Sequence, residues 1–118
     1  MIINTAYKGG KLEVQHSSPD TILRWTKRFK IAPALIRELY KLPTQQQEEL
    51  LAYLRVLLRF SIKDHSCCIL HATAELSARP CYIEYTIRAK NVRPDSLLPQ
   101  IRASFKGCVK AITDKIHA

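Results

Sequence analysis

Two groups of residues in this chain have types and spacings that could do chemistry. The first is His65, Cys67, Cys68, His71 and Cys81. Thiolate and imidazole are the usual zinc ligands, and a thiol beside an imidazole is also the nucleophile-and-base pair of covalent catalysis. The second group is cationic: Arg24, Lys27, Arg28, Lys30, Arg37 and Lys41, with Glu38 the only carboxylate among them. Clustered Lys and Arg neutralise phosphates and release counterions, the chemistry of nucleic-acid binding. A phosphate-cradling glycine loop is a third possibility, but the only glycines are Gly9, Gly10 and Gly107, and Gly9-Gly10 reads as a turn.

The elements that must position the thiols argue against a site. Between residues 66 and 90 the apolar period is two. Cys68, Leu70, Ala72, Ala74 and Leu76 alternate with His71, Thr73 and Glu75. Beyond Ser77-Ala78-Arg79-Pro80, Cys81, Ile83, Tyr85, Ile87 and Ala89 alternate with Tyr82, Glu84, Thr86, Arg88 and Lys90. This predicts a hairpin with a four-residue loop, pairing Leu76 with Cys81, Ala72 with Tyr85 and Leu70 with Ile87, which puts both apolar sets on one face. Cys68 and Cys81 then lie about 26 Å apart along the sheet, too far to share a metal. Cys67 and Cys68 point to opposite faces. His71 falls on a polar outer face with Glu84 opposite Thr73. The expectation is therefore no metal site, no catalytic residue, no cofactor and no enzymatic activity. With Cys108, the thiols are read as reduced and as small apolar side chains.

The remaining elements follow from periodicity and punctuation. Residues 1–16 read as a β-hairpin around Gly9-Gly10, with Ile2-Ile3 and Leu12 to Gln15 as its arms. Ser18-Pro19-Asp20 reads as the start of a helix running to about Phe29, with Ile22, Trp25 and Phe29 on one face and Arg24, Lys27 and Arg28 on the other. Pro33 opens a second helix with Leu35, Ile36, Leu39 and Tyr40 as its apolar side, ended by Leu42-Pro43. Thr44 caps a third, with Gln47 placed for a capping box and a stripe of Leu50, Leu51, Leu54, Leu57 and Leu58. The last helix spans about Ser96 to Ile116, with Leu98, Ile101, Phe105, Cys108, Ile112 and Ile116 at spacings of three and four. The predicted fold is one α+β domain over residues 1–118. Two hairpins form an antiparallel sheet against about four helices, in the order β-β-α-α-α-β-β-α.

Residues 22–41 resemble the helix-turn-helix pattern. Trp25, Phe29, Ile31, Ile36 and Leu39 fill its buried positions, Lys30 stands at its turn and Thr26 at the position where the helices pack. The resemblance implies DNA binding, with the second helix presenting Arg37, Glu38 and Lys41. Further basic rows occur at Arg102, Lys106 and Lys110 and at Arg55 and Arg59.

Composition supports a binding role. The 118 residues carry a formal net charge of +9, with 47% hydrophobic residues. That suits a folded domain with an anionic partner. No apolar run is long enough to cross a membrane, and the N-terminus lacks the pattern of a secretory signal, so a cytoplasmic protein is expected. The expected function is a small basic nucleic-acid-binding or regulatory accessory protein acting on DNA or RNA without catalysis. The alternative is a protein-interaction adaptor or chaperone that docks an acidic partner. Wide apolar stripes on the third and last helices further imply a homodimer, through the last helix or an open sheet edge.

Overall fold

The computed structural model describes residues 2–17, 20–64, 69–90 and 97–118. Six strands and three helices follow one another as β1 (Ile2–Tyr7), β2 (Gly10–Ser17), β3 (Asp20–Lys30), α1 (Pro33–Lys41), α2 (Thr44–Leu57), β4 (Ile62–Asp64), β5 (Ile69–Leu76), β6 (Tyr82–Lys90) and α3 (Leu98–Ile116). The strands form one antiparallel sheet in the order β1-β2-β3-β6-β5-β4. The α+β class and the antiparallel sheet agree with the sequence. The element order and helix count do not.

The main correction is β3. Residues expected to form a helix to Phe29 form a strand that is central to the sheet, paired with β2 on one side and β6 on the other. The helix-turn-helix arrangement therefore does not form. The physical reason lies in Lys27. Leu23, Trp25, Phe29 and Ile31 alternate with Arg24, Thr26, Arg28 and Lys30 at strand period, and Lys27 interrupts the apolar row. In the fold Lys27 takes its place in that row and reaches out from under the sheet. Its Nζ lies 4.6 Å from the Phe29 ring centroid and donates to the Lys8 carbonyl at 3.3 Å. A long aliphatic stem with a wet ammonium tolerates such a position. The capping role read for Ser18 and Pro19 lies outside the described residues.

The N-terminal hairpin forms as expected, with its turn one residue earlier. Lys8 and Gly9 have positive φ, 52° and 78°, as a two-residue hairpin turn requires. Gly10 instead begins β2, where a Cβ would sit 2.6 Å from Trp25 Nε1. That close approach lets the buried Trp25 indole donate to the Tyr7 carbonyl at 2.7 Å, tying the hairpin to the core.

The β5–β6 hairpin keeps its faces but shifts by two residues. Leu76 pairs with Ile83, Ala74 with Tyr85 and Ala72 with Ile87. The loop is longer than four residues because the Ser77 hydroxyl donates to the Arg79 carbonyl and accepts from the Cys81 amide, drawing Cys81 out of the strand. A bulge between Ile69 and His71 puts Ile69, rather than Leu70, in the core.

One face of the sheet carries the core. Trp25, Ile83, Tyr85 and Ile87 meet Leu39, Leu54, Ile101, Cys108 and Ile112 from the helices. Phe29 packs against Tyr85 and Phe105, with centroids 5.4 and 5.2 Å away. The Tyr85 hydroxyl donates to Ser104 Oγ at 2.9 Å, which fixes α3 across β6. Gln47 does not act as a capping-box residue. Helix α2 has no side-chain cap, and the Gln47 amide donates to the Leu42 and Tyr40 carbonyls, sealing the end of α1. Tyr40 and Leu57, expected inside, are exposed. No helix among the described residues is long and apolar enough to cross a membrane.

Candidate nucleic-acid interface

With the helices on one side, the opposite face of the sheet is open. Side chains alternate along a strand, and directly paired residues share a face. The registers therefore place Lys11, Glu13 and Gln15 of β2 and Ile22, Arg24, Thr26, Arg28 and Lys30 of β3 on the open side. Tyr82, Glu84, Thr86, Arg88 and Lys90 of β6 and His71, Thr73 and Glu75 of β5 join them. Each of these side chains is exposed or half-buried.

The cations concentrate along the β3–β6 seam. Arg24 stands directly opposite Arg88, with Glu13 beyond Arg24 and His71 beyond Arg88. Beside this row lies a row of hydroxyls, Thr26, Thr86 and Thr73. Lys90 opposite Ile22 and Lys30 opposite Tyr82 mark the two ends of the seam. From one end to the other the track is about 26 Å long, and neighbouring same-face positions are about 6.6 Å apart.

The partners of these cations differ. Arg28 Nε donates to Glu84 Oε2 at 2.8 Å, and its guanidinium lies 4.8 Å from the Tyr82 ring centroid. The Glu84 hydrogen bond raises the Arg28 pKa further above its ordinary value, so the group remains cationic. Lys11 reaches Glu13 at 3.8 Å. Arg24 and Arg88 have no hydrogen bond or ion pair among the described residues. Like charges placed directly opposite on a sheet are destabilising, so this pair is held at a cost. Two shallow hollows share the pair as a common wall. One, about 280 Å³, runs toward Glu13 and Gln15 of β2. The other, about 270 Å³, runs toward His71, Thr73 and Thr86 and is also lined by Glu75 and Glu84.

Of the six cations singled out in the sequence, the fold gathers Arg24, Arg28 and Lys30 on the open face. It separates the other three. Lys27 lies on the helix side beneath the β1–β2 turn. Arg37 and Lys41 are on α1, where Lys41 pairs with Glu38 at 3.0 Å. The rows on the other helices are elsewhere too. Lys110 pairs with Asp114 at 2.9 Å. Arg55 and Arg59 line a separate hollow with Phe60 and Leu76. Sequence reasoning missed Arg88, Lys90 and Lys11 as members of the patch. The outward alternation of β6 puts Arg88 and Lys90 on a solvent face, but the competing helical period of residues 20–29 hides the strand that lies beside them.

Of the thiol and imidazole group, the described members His71 and Cys81 do not converge. His71 pairs with Arg88, whereas Cys81 precedes β6, about 23 Å along the strand from that position. His65, Cys67 and Cys68 lie outside the described residues. No group of three metal-binding side chains comes together among the described residues. Cys81 is exposed, and Cys108 is buried in the core, where burial pushes its thiol pKa up.

Comparison with protein-family models, with curated proteins and with solved structures gave no match.

Proposed function

We propose that this protein binds nucleic acid, without catalysis, through the open face of its sheet. The observation that carries the reading is the Arg24–Arg88 pair. Two guanidiniums face each other with no carboxylate between them, on a surface where a bound anion would relieve their repulsion. Guanidinium is the side chain best matched to phosphate, because its planar fork donates two parallel hydrogen bonds. The threonine row adds neutral donors beside it, and the seam extends the charge over several phosphate spacings.

The composition of the face favours nucleic acid over an acidic protein. Protein interfaces centre on a dehydrated apolar core. Among the described residues, the large apolar side chains that the β3–β6 pairing places on the open face are Ile22 and Tyr82, at opposite ends of the seam. A seam of cations and hydroxyls, with its large apolar side chains at the ends and its carboxylates beside the Arg24–Arg88 pair rather than within it, suits a regular polyanion, which is held by charge rather than by burial.

The test is a fluorescence-anisotropy titration with labelled DNA and RNA oligonucleotides and, separately, with poly-glutamate, at two salt concentrations. The reading expects nucleic acid to bind with a steep salt dependence and more tightly than poly-glutamate at equal charge. Binding to poly-glutamate alone would assign the face to an acidic protein partner. No binding to any of the three would remove the function.

A further inference from the structure

A second surface lies on the opposite side of the molecule. Between α2 and α3 a solvent-open groove of about 520 Å³ is walled by Leu50, Tyr53 and Leu57 on one side and Gly107, Lys110 and Ala111 on the other. Tyr53, Val56 and Leu57 crowd one turn of α2 and are 54%, 56% and 40% exposed. Large apolar side chains gathered in this way mark an interaction surface more often than solvent-facing helix.

Gly107 is the unusual member. It sits in the middle of α3, where glycine costs about 0.5–1 kcal/mol relative to alanine. A Cβ built there would meet nothing within 4 Å. The chain's own packing does not require a glycine at this position. The space it leaves is open to a side chain from outside the chain.

We propose that this groove is the contact face of a homodimer, in which Tyr53 of each copy seats over Gly107 of the other. A second copy fits better than a foreign partner for two reasons. The first is charge. The chain as a whole is strongly cationic, but the groove margin balances Glu49 and Asp114 against Lys110 and Lys115. An anionic partner has no reason to choose it over the sheet. A twofold axis makes one patch meet itself, so Glu49 of one copy can face Lys115 of the other while Lys110 and Asp114 stay paired within each chain. The second is size. The 14 residues of α2 span about 21 Å, and two helices side by side are about 20 Å wide, giving about 400 Å² per copy. That is about 800 Å² in total, the size of a weak, transient contact rather than a stable one, and suits an assembly that forms only in the micromolar range or above. The arrangement leaves both sheet faces outward and free.

Sedimentation equilibrium across a concentration series, with thermal melts of the same samples, tests this directly. The wild-type mass should rise from 13.5 kDa toward twice that value as concentration passes through the micromolar range. Gly107→Leu fills space that is empty within the chain and improves helix propensity. It should therefore melt no lower than wild type at low concentration and self-associate at least tenfold more weakly. Tyr53→Ser, a change at an exposed position, should weaken association likewise. A wild-type mass fixed at 13.5 kDa at high concentration would overturn the proposal. So would a dimer undiminished by both substitutions, which would assign the contact to another surface such as the β1 edge.

Discussion

Replacing Arg24 and Arg88 together with glutamine should move stability and binding in opposite directions. In the free protein the two guanidiniums face each other across the β3–β6 seam with no ion pair among the described residues, Glu13 standing on the far side of Arg24. Removing a like-charged cross-strand pair should stabilise the fold by about 0.2–1 kcal/mol. For binding, each phosphate contact on a duplex contributes about 0.9 to the slope of log affinity against log salt, so the loss of two contacts lowers the slope by about 1.8. Between 50 and 200 mM salt, a fourfold change, this means the affinity of the double variant falls about 12-fold less than that of wild type. Urea denaturation reads the first effect, and anisotropy at the two salt concentrations reads the second. An unchanged salt slope with an intact fold would refute the placement of phosphates on this pair. A stability loss above about 1 kcal/mol would refute the premise that the pair is held against its own repulsion.

Three further outcomes follow from the same structure. Glu84→Gln frees Arg28 from its 2.8 Å partner and removes a negative charge beside the track, so nucleic-acid affinity measured by anisotropy should rise; a fall would mean that Glu84 positions Arg28 for binding. Trp25→Ala should destabilise the protein by about 3–5 kcal/mol in chemical denaturation, because it empties a core site and releases the hairpin. Burial raises the Tyr85 pKa from 10.0 to about 12, despite the opposing hydrogen bond to Ser104. The unfolded chain therefore ionises first, so this contribution is intact below pH 10 and is lost as pH rises from 10 toward 12. The full loss is about 2.7 kcal/mol, of which about 1.4 kcal/mol is reached by pH 11, so urea midpoints at pH 8 and pH 11 should diverge in wild type by more than in Tyr85→Phe.

Parts of the fold were legible because one period dominated. In β5 and β6 every second residue is apolar, and in α3 the apolar spacing of three and four runs unbroken from Leu98 to Ile116. The β5–β6 register was not legible, because the Ser77 hydrogen bonds that lengthen the loop are a local geometry without a periodic signature. Strand β3 was obscured by Lys27, whose charge stands where the strand period calls for an apolar residue. Ile22, Trp25 and Phe29 then offered a helical alternative. Arg24 and Arg28 share a face under either reading, since a separation of four is nearly one turn of a helix and two full pleats of a strand. That coincidence is why part of the cationic patch was found from a mistaken element. Arg88 was out of reach, because its role depends on a cross-strand neighbour far away in the chain. Gln47 shows the same limit at shorter range: its spacing from Thr44 fits a capping box, while its amide serves the preceding helix.

The most direct test of the sheet-face assignment is an amide chemical-shift titration of isotope-labelled protein with a short oligonucleotide. The account predicts that the shifts cluster on β3 and β6 around Arg24, Thr26, Thr86 and Arg88, extend to His71, and leave α1 and α3 unmoved. Shifts centred on Arg37 and Lys41, or on the Arg102, Lys106 and Lys110 row, would contradict it.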